Sequence, residues 1–250
     1  LYKKYNIDPV QRLLKIAKEC GVKHCVVLGS YFSYFAKARP QMHLTEYHPY
    51  IRSRIDQEKV AMSFADDNFD VAVLELPYIF GTQPGRKPVW VFLVESIRKM
   101  PGVTMWPKGG STMVTVKQVG QAIAGAIERN KGGNCYPIGY YNLTWKEMLT
   151  ICHKHLGCPN KKIITIPDWM YGMAGKSIVK QQKKDGIQGG LDMIKFTELQ
   201  CSNQFIDKKL GCVLLGVEDD DIDSAIGDSV KLCVDILDGK AKNIVAMKGE

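Results

Sequence analysis

Two side chains in the stretch YIRSRIDQE, residues 50–58, have the types and the spacing for proton transfer. Reducing a carbonyl, or oxidising an alcohol, requires a group that gives or takes a proton at the oxygen atom. A tyrosine hydroxyl ordinarily titrates near pH 10, and a neighbouring cation favours its ionised form. Tyr50 and Arg54 stand four residues apart, so a helix would place them on one face. The pair predicts a general acid/base; the alternative is a solvent-facing helix turn with an extended arginine.

Ser30 is a third candidate, because it follows the apolar stretch HCVVLG, residues 24–29, which predicts a buried strand. Open α/β sheets bind their ligands at the carboxyl ends of the strands. A serine hydroxyl at this place can hydrogen-bond a substrate oxygen, and it can equally cap a helix or a turn. Tyr50, taken alone, could simply cover the core.

The elements around these residues alternate between helix and strand. Apolar residues at helical spacing predict a helix over residues 10–17, ended by Gly21, and a second helix begins near Tyr50. Strands are predicted at residues 24–30, ending at Gly29 and Ser30, and at residues 69–76, the latter closed by proline. This alternation predicts an α/β fold with a parallel sheet covered on both faces.

Further elements follow a loop rich in glycine and proline. Helices are expected at residues 89–99 and 115–129, and short strands near residues 103–106 and 135–139. Thr144 and Glu147 form a capping box ahead of another helix. The aspartates at 219–221 suit the start of a helix and not a calcium site. The remaining C-terminal part is expected to be mostly helical.

The composition limits the classes of partner. A net charge of +8 favours anionic ligands, but the basic residues are spread along the chain without aromatic interleaving or zinc-finger spacing. We therefore expect a small-molecule substrate and no nucleic acid. The longest apolar stretches fall short of the roughly 20 residues that span a bilayer, so no membrane partner is expected.

The eight cysteines occur singly, without a C-x-x-C pair. This usage is typical of a reduced protein and predicts a cytoplasmic location. Cys152 and His155 would share a helix face, so a metal site is an alternative there. The apolar pattern of Met148, Leu149 and Ile151 favours a core position for Cys152 instead, and no metal is expected.

Five segments now occur in a defined order along the chain. They are NI with RLLKIAKECGVK (6–7 and 12–23), VVLGSYFSYF (26–35), YIRSRIDQE (50–58), LELPYIFG (74–81) and NLTWKE (142–147). Together they resemble the motifs of the extended short-chain dehydrogenase/reductase superfamily, in its NAD-dependent epimerase/dehydratase branch. Tyr50, Ser53 and Glu58 match the family's Y-x-x-S-K-x-x-x-E, with Arg54 at the lysine position.

The resemblance implies a Rossmann-type, doubly wound parallel sheet with a smaller, mostly helical C-terminal substrate lobe. The cofactor domain would comprise residues 1–82 and 113–139, and the substrate lobe residues 83–112 and 140–250. The cofactor would be NAD or NADP. The substrate would carry a carbonyl or alcohol group, sugar-derived compounds included. Family members often pair through the helix that carries the tyrosine, which makes a homodimer a further expectation.

The resemblance also implies roles for individual residues. Tyr50 would be the general acid/base, Ser30 its hydrogen-bonding partner, and Arg54 the cation that contacts the nicotinamide ribose. Asn6 would fall at the helix position that helps to hold a proton-relay water. The backbone of four residues would border the nicotinamide: Pro77, Tyr78, Ile79 and Phe80.

The chain departs from the family pattern in three places. The glycine-rich fingerprint is absent, and the likeness places residue 1 in the fourth helix of the cofactor domain, so about 90 preceding residues are expected. Arg54 keeps the charge of lysine but cannot release a proton. In the nucleotide-sugar enzymes of the family, an arginine often stands at the position of Ser111, and acidic residues stand at the positions of Lys117 and Gln118. These differences favour a smaller carbonyl or alcohol substrate.

Two non-catalytic functions remain as alternatives on the same fold. One is an NAD(P)-sensing regulator, which the loss of the lysine favours. The other is a scaffold protein with a relic site. Tyr50 and Ser30 argue against the sensor, because a protein that only binds the dinucleotide does not need an acid/base pair.

Overall fold

The computed structural model describes residues 1–187, 189–241 and 244–245 and confirms the predicted α/β class. The α-helices are α1 (Asp8–Glu19), α2 (Tyr31–Ala38), α3 (Leu44–Tyr47), α4 (Pro49–Met62), α5 (Val91–Lys99), α6 (Val116–Arg129), α7 (Trp145–His155), α8 (Asp168–Lys184), α9 (Phe196–Gln200) and α10 (Ile222–Leu237). The strands are β1 (His24–Leu28), β2 (Asp70–Glu75), β3 (Tyr78–Phe80), β4 (Val103–Pro107), β5 (Gly110–Thr115), β6 (Gly133–Pro137), β7 (Tyr141–Thr144), β8 (Lys162–Ile166) and β9 (Asn203–Gln204).

The first sheet is parallel, with strand order β1-β2-β6. Its middle strand β2 is buried from Val71 onward, as a parallel strand covered on both faces should be. Val71 and Val73 pack in one cluster with Leu14 of α1 and Ala61 of α4. Ala72 and Leu74 pack in another cluster together with apolar residues of α6. Successive side chains of β2 therefore point to opposite, helix-covered faces.

Two further sheets occur among the described residues, one of four strands and one of two. β5 is parallel to β3 and to β9, and antiparallel to β7. β4 and β8 form a separate parallel pair. Helices α5, α7 and α10 pack beside these strands around a core that contains Phe80, Trp90, Trp145 and Ile226.

The helix starts follow local sequence signals. Pro49 opens α4 at a position where a backbone N–H is not needed. Thr144 and Glu147 form the predicted capping box of α7. Asp221 caps α10 by accepting a hydrogen bond from the Ser224 N–H, which confirms the structural role expected for the aspartates.

Several segments differ from the expectations, and β5, β7 and β9 fall where no strand was predicted. No helix was predicted between Ser30 and Tyr50, but this stretch contains α2, because Tyr31, Phe32 and Phe35 are buried against other parts of the chain. β3 lies in the predicted glycine- and proline-rich loop. β8 lies in the part expected to be mostly helical, where its sequence KIITI pairs with β4. β-branched residues favour a strand when a partner strand is present, and the partner is distant in sequence.

The predicted division into a cofactor domain (1–82 and 113–139) and a substrate lobe (83–112 and 140–250) stays a prediction. The expected boundary at 112/113 falls inside β5, and the boundary at 139/140 falls between β6 and β7. Residues 188, 242–243 and 246–250 of the predicted lobe lie outside the described residues.

Cys152 and His155 take separate positions on α7. Cys152 is buried in the core, and burial raises the pKa of its thiol to about 12. The His155 Nε2 atom lies 2.9 Å from Asp223 Oδ1. Within the described ranges, no three His, Cys, Asp or Glu residues are grouped as metal ligands, and no helix is long and apolar enough to cross a membrane.

Candidate active site

A cavity of about 620 Å³ opens where β1 and β2 end, and the predicted chemical residues surround it. Leu28 and Gly29 form its wall after β1, and Leu76 forms its wall after β2. Ser30, Tyr50 and Arg54 also line it. This is the place where open α/β sheets bind ligands.

Tyr50 and Arg54 are in direct contact on α4. The guanidinium carbon of Arg54 lies 5.2 Å from the centre of the Tyr50 ring, within the range of a cation–π interaction. Arg54 Nη1 donates to the Gln57 side chain at 3.0 Å and to the Leu28 carbonyl at 3.4 Å. Arg54 Nε is buried and has no hydrogen-bond partner. One donor of the cation therefore stays unused beside the candidate acid/base.

Ser30 both caps α2 and lines the cavity. Its hydroxyl accepts a hydrogen bond from the Phe32 N–H at 3.4 Å, so the capping interpretation is confirmed. A serine hydroxyl that accepts one bond still has its own proton to donate. Capping fixes the side chain at the cavity wall and leaves that proton for a ligand oxygen.

Asn6 is not among the residues that line the cavity, and it is bonded to α4 instead. It belongs to a π-helical turn, Lys3–Ile7, and its Nδ2 donates to Ser53 Oγ at 3.0 Å. Ser53 donates in turn to the Tyr50 carbonyl at 2.7 Å, and Gln57 donates to the Asn6 carbonyl at 2.9 Å. These bonds attach the turn to the helix that carries Tyr50. The predicted water-holding role of Asn6 stays a prediction.

The segment after β2 divides between the cavity and the core. Pro77, Tyr78 and Ile79 line the cavity. The Phe80 side chain instead stacks on Trp90 in the core, with ring centres 4.4 Å apart. The Ile79 carbonyl accepts a hydrogen bond from Trp90 Nε1 at 2.8 Å, which holds this segment in place.

A loop at residues 190–193 covers Tyr50 from the other side. The Gly190 carbonyl accepts the Tyr50 N–H at 2.9 Å. Gly190 packs closely here: a Cβ atom at this position would lie 3.2 Å from Tyr50 Cβ and would displace the Tyr2 hydroxyl. His48, just before α4, accepts the Asp192 N–H at 3.1 Å, and burial lowers the pKa of the imidazole.

Behind the cavity wall, Lys37 joins two buried carboxyl groups. Its ammonium lies 2.9 Å from Glu58 Oε2 and 2.8 Å from Glu75 Oε1. Burial first, and the charge of Glu58 second, raise the pKa of Glu75 to about 7, against the opposing effect of Lys37. These ion pairs connect α2, α4 and β2. Ser30 caps α2, Tyr50 lies on α4, and β2 ends at the cavity.

Several cavity residues carry no motif that the sequence analysis used. They come from five separate elements: Trp90, Trp106, Trp145, Tyr171 and Phe196. The tryptophans occur singly in the sequence. Only Trp145 stood beside a signal, the capping box of α7, and that signal predicts a helix start and not a cavity wall.

No protein-family model and no curated protein matches the sequence. Solved structures do match. The crystal structure of gox2253 has a TM-score of 0.68 at 17% identity, over 96% of this chain and 74% of that chain. UDP-N-acetylglucosamine 4-epimerase from Methanobrevibacter ruminantium M1, in complex with UDP-N-acetylmuramic acid, has a TM-score of 0.60 at 15% identity, over 94% and 70%. The dTDP-glucose 4,6-dehydratase DesIV from Streptomyces venezuelae, with NAD bound, has a TM-score of 0.58 at 15% identity, over 92% and 66%.

At these identities the likeness establishes the fold. The doubly wound, Rossmann-type arrangement predicted from the sequence is confirmed, as is the resemblance at the level of architecture. The chain has the fold of UDP-N-acetylglucosamine 4-epimerase and of dTDP-glucose 4,6-dehydratase.

Proposed function

We propose that this protein is an NAD(P)-dependent oxidoreductase that interconverts a carbonyl compound and an alcohol, with Tyr50 as the general acid/base. One observation carries the proposal. Tyr50 lines the cavity at the strand ends with the Arg54 guanidinium against its ring. Ser30 is held on the same cavity by its cap. The DesIV structure, which has this fold, contains NAD.

The residues present fit the nicotinamide end of a dinucleotide. Arg54 Nε is a buried donor without a partner, beside the cavity. Gly29 also lines the cavity at the end of β1. Its lack of a side chain lets this segment pack closely on β2, because a Cβ there would lie 2.9 Å from Val73 Cγ1 and 3.3 Å from the Leu74 carbonyl oxygen. Arg54 and Tyr50 would hold the ribose, and the backbone of residues 77–80 would border the ring. No glycine-rich fingerprint occurs in the sequence, so these residues account for the nicotinamide end alone.

The chemistry divides between the cofactor and the chain. When bound, the nicotinamide supplies a hydride to the carbonyl carbon, or accepts one from the alcohol carbon. Tyr50 donates its proton to the carbonyl oxygen in reduction and takes it back in oxidation, so C=O and CH–OH differ by one hydride and one proton. Ser30 donates a hydrogen bond to the same oxygen. The Arg54 guanidinium, 5.2 Å from the centre of the Tyr50 ring, supplies a positive charge beside the acid/base.

A sensor that binds the dinucleotide without turnover is the alternative, and arginine at the lysine position favours it. Pairing of two chains through α4 and a cytoplasmic location also stay predictions. The partner we propose is a small-molecule substrate.

The test begins with fluorescence titration of the purified, native-length protein with NADH and NADPH. Tyr50→Phe should then lower turnover by about 10²- to 10⁴-fold, and it should weaken cofactor binding by no more than about tenfold, the effect of losing one hydrogen bond to the ribose. Tyr5→Phe, at an exposed tyrosine outside the cavity, is the matched control and should behave like the unaltered protein. Unchanged turnover in Tyr50→Phe would contradict the assigned role. Absence of binding of either nucleotide to folded protein would refute the enzyme and the sensor together.

A further inference from the structure

The cavity has a continuous aromatic wall that begins at Tyr50. The rings that form it contact one another in series. Between ring centres, Tyr50 lies 6.3 Å from Phe32, and Phe32 lies 4.6 Å from Tyr31. Tyr31 lies 6.0 Å from Tyr78, which lies 5.5 Å from Trp145 and 5.1 Å from Trp90. All of them line the same cavity. A ligand held at Tyr50 therefore has ring faces and edges along its length.

The same cavity has few charges. Among its described lining residues, Arg54 is the one charged side chain, and it contacts Tyr50. Burial raises the pKa of Tyr171 to about 12 and raises that of Tyr78 as well, so both hydroxyls stay neutral. A diphosphate carries two or more negative charges and needs several cations or N–H donors. Among the described lining residues, the cavity provides Arg54 as the one cation, which is too few charges for a diphosphate.

Ser111 shows what replaces a phosphate-binding arginine in this chain. It is fully buried and donates to the Tyr31 hydroxyl at 3.1 Å. Tyr31 donates in turn to Gln204 Oε1 at 2.8 Å. The position that carries arginine in nucleotide-sugar enzymes is thus part of a neutral interior network behind the aromatic wall.

The entrance to the cavity is apolar as well. Val89 and Phe92 line the cavity and are 58% and 55% exposed. Exposed apolar side chains at the rim of a pocket favour an apolar ligand, because the ligand covers them when it binds.

We propose that the substrate is an apolar ring ketone, with the matching secondary alcohol as product, and not a nucleotide sugar. This inference rests on the proposed function. The carbonyl oxygen lies at Tyr50 and Ser30, and the rings lie against the aromatic wall. Reduction adds a hydride from NADH or NADPH to the carbonyl carbon and the Tyr50 proton to the oxygen, leaving NAD⁺ or NADP⁺ and the alcohol.

Tryptophan fluorescence provides a binding test that does not depend on turnover. Trp90, Trp106 and Trp145 line the cavity, so a ligand there changes their emission. The native-length protein, saturated with the oxidised nucleotide that it binds, is titrated with 2-decalone, a fused-ring ketone without aromatic absorbance, and separately with UDP-glucose. The oxidised nucleotide cannot reduce a ketone, so the complex is stable. We expect saturable binding of 2-decalone and none of UDP-glucose.

Phe92→Lys tests the location of the ligand with little risk to folding, since more than half of this side chain is exposed. It should weaken 2-decalone binding about five- to tenfold, because part of a phenylalanine contact is lost. Ile127→Lys, at an exposed helical position outside the cavity, should leave binding unchanged.

The outcomes separate this inference from the proposed function. Suppose that the protein binds the nucleotide and that Tyr50→Phe lowers turnover, but that the complex binds UDP-glucose and not 2-decalone. This result overturns the proposed substrate class and leaves the proposed oxidoreductase function intact. Binding of neither ligand to the nucleotide complex also overturns it. Equal affinity of Phe92→Lys and the unaltered protein for 2-decalone places the ligand elsewhere and overturns it too. Absence of nucleotide binding refutes the proposed function itself.

Discussion

Replacing Glu75 with glutamine should remove a large part of the pH dependence of folding stability between pH 5 and pH 8. The Glu75 carboxyl is 1% exposed, beside Glu58, with Lys37 as the cation between them. Burial and the charge of Glu58 raise the pKa of Glu75 from 4.5 to about 7 in the folded protein. The folded protein therefore binds this proton more tightly than the unfolded chain does.

The sign and the size follow from that difference. Below pH 4.5 the carboxyl is protonated in both states, and its ionisation has no effect on stability. As the pH rises from 4.5 to 7, the unfolded chain releases the proton first, so the free energy of unfolding falls. The difference between 4.5 and about 7 corresponds to about 3 kcal/mol, since each pH unit is worth about 1.4 kcal/mol. Above pH 7 this contribution is constant.

Urea denaturation followed by circular dichroism, at pH 5 and pH 8, measures the effect. The unaltered protein should lose about 2–3 kcal/mol more stability between these values than Glu75→Gln does, because part of the effect lies below pH 5. Glutamine keeps the size of the protonated carboxyl and cannot ionise. Glu128→Gln, at an exposed helical position, controls for the lost charge and should follow the unaltered protein. Parallel stability curves for Glu75→Gln and the unaltered protein would show that the buried cluster does not titrate in this range.

Two further predictions concern helix packing and capping. Gly125→Ala should destabilise the protein by about 1–3 kcal/mol, because the new Cβ would collide with the Leu215 carbonyl oxygen. Gly120→Ala on the same helix, where a Cβ would have nothing within 4 Å, should stabilise it by up to about 1 kcal/mol. Thermal melts compare the two variants, and equal melting temperatures would contradict the packing described. Thr144→Ala removes the cap of α7 and should cost about 1 kcal/mol in urea denaturation, whereas no loss would mean that the capping box does not stabilise the helix.

The local elements of the site were predictable because their signals are short-range. The helical spacing of Tyr50 and Arg54 and the apolar strand before Ser30 each lie within a few residues, where one turn or one strand decides the geometry. The structure confirms α4, β1 and β2 in those places. The helix α2 was missed, because its aromatic residues gain their burial from contacts with α9 and the loop after β9.

The sequence by itself determined the α/β class, the order of the main strands and helices, and the placement of Tyr50 beside Arg54, since periodicity and capping act along the chain. Only the tertiary structure decided what surrounds them. Tyr31 meets Ser111 across 80 residues and Gln204 across 173, and no local pattern records such contacts. The aromatic wall and the buried Lys37 cluster arise in the same way, from side chains that are neighbours only after the sheets and helices have packed.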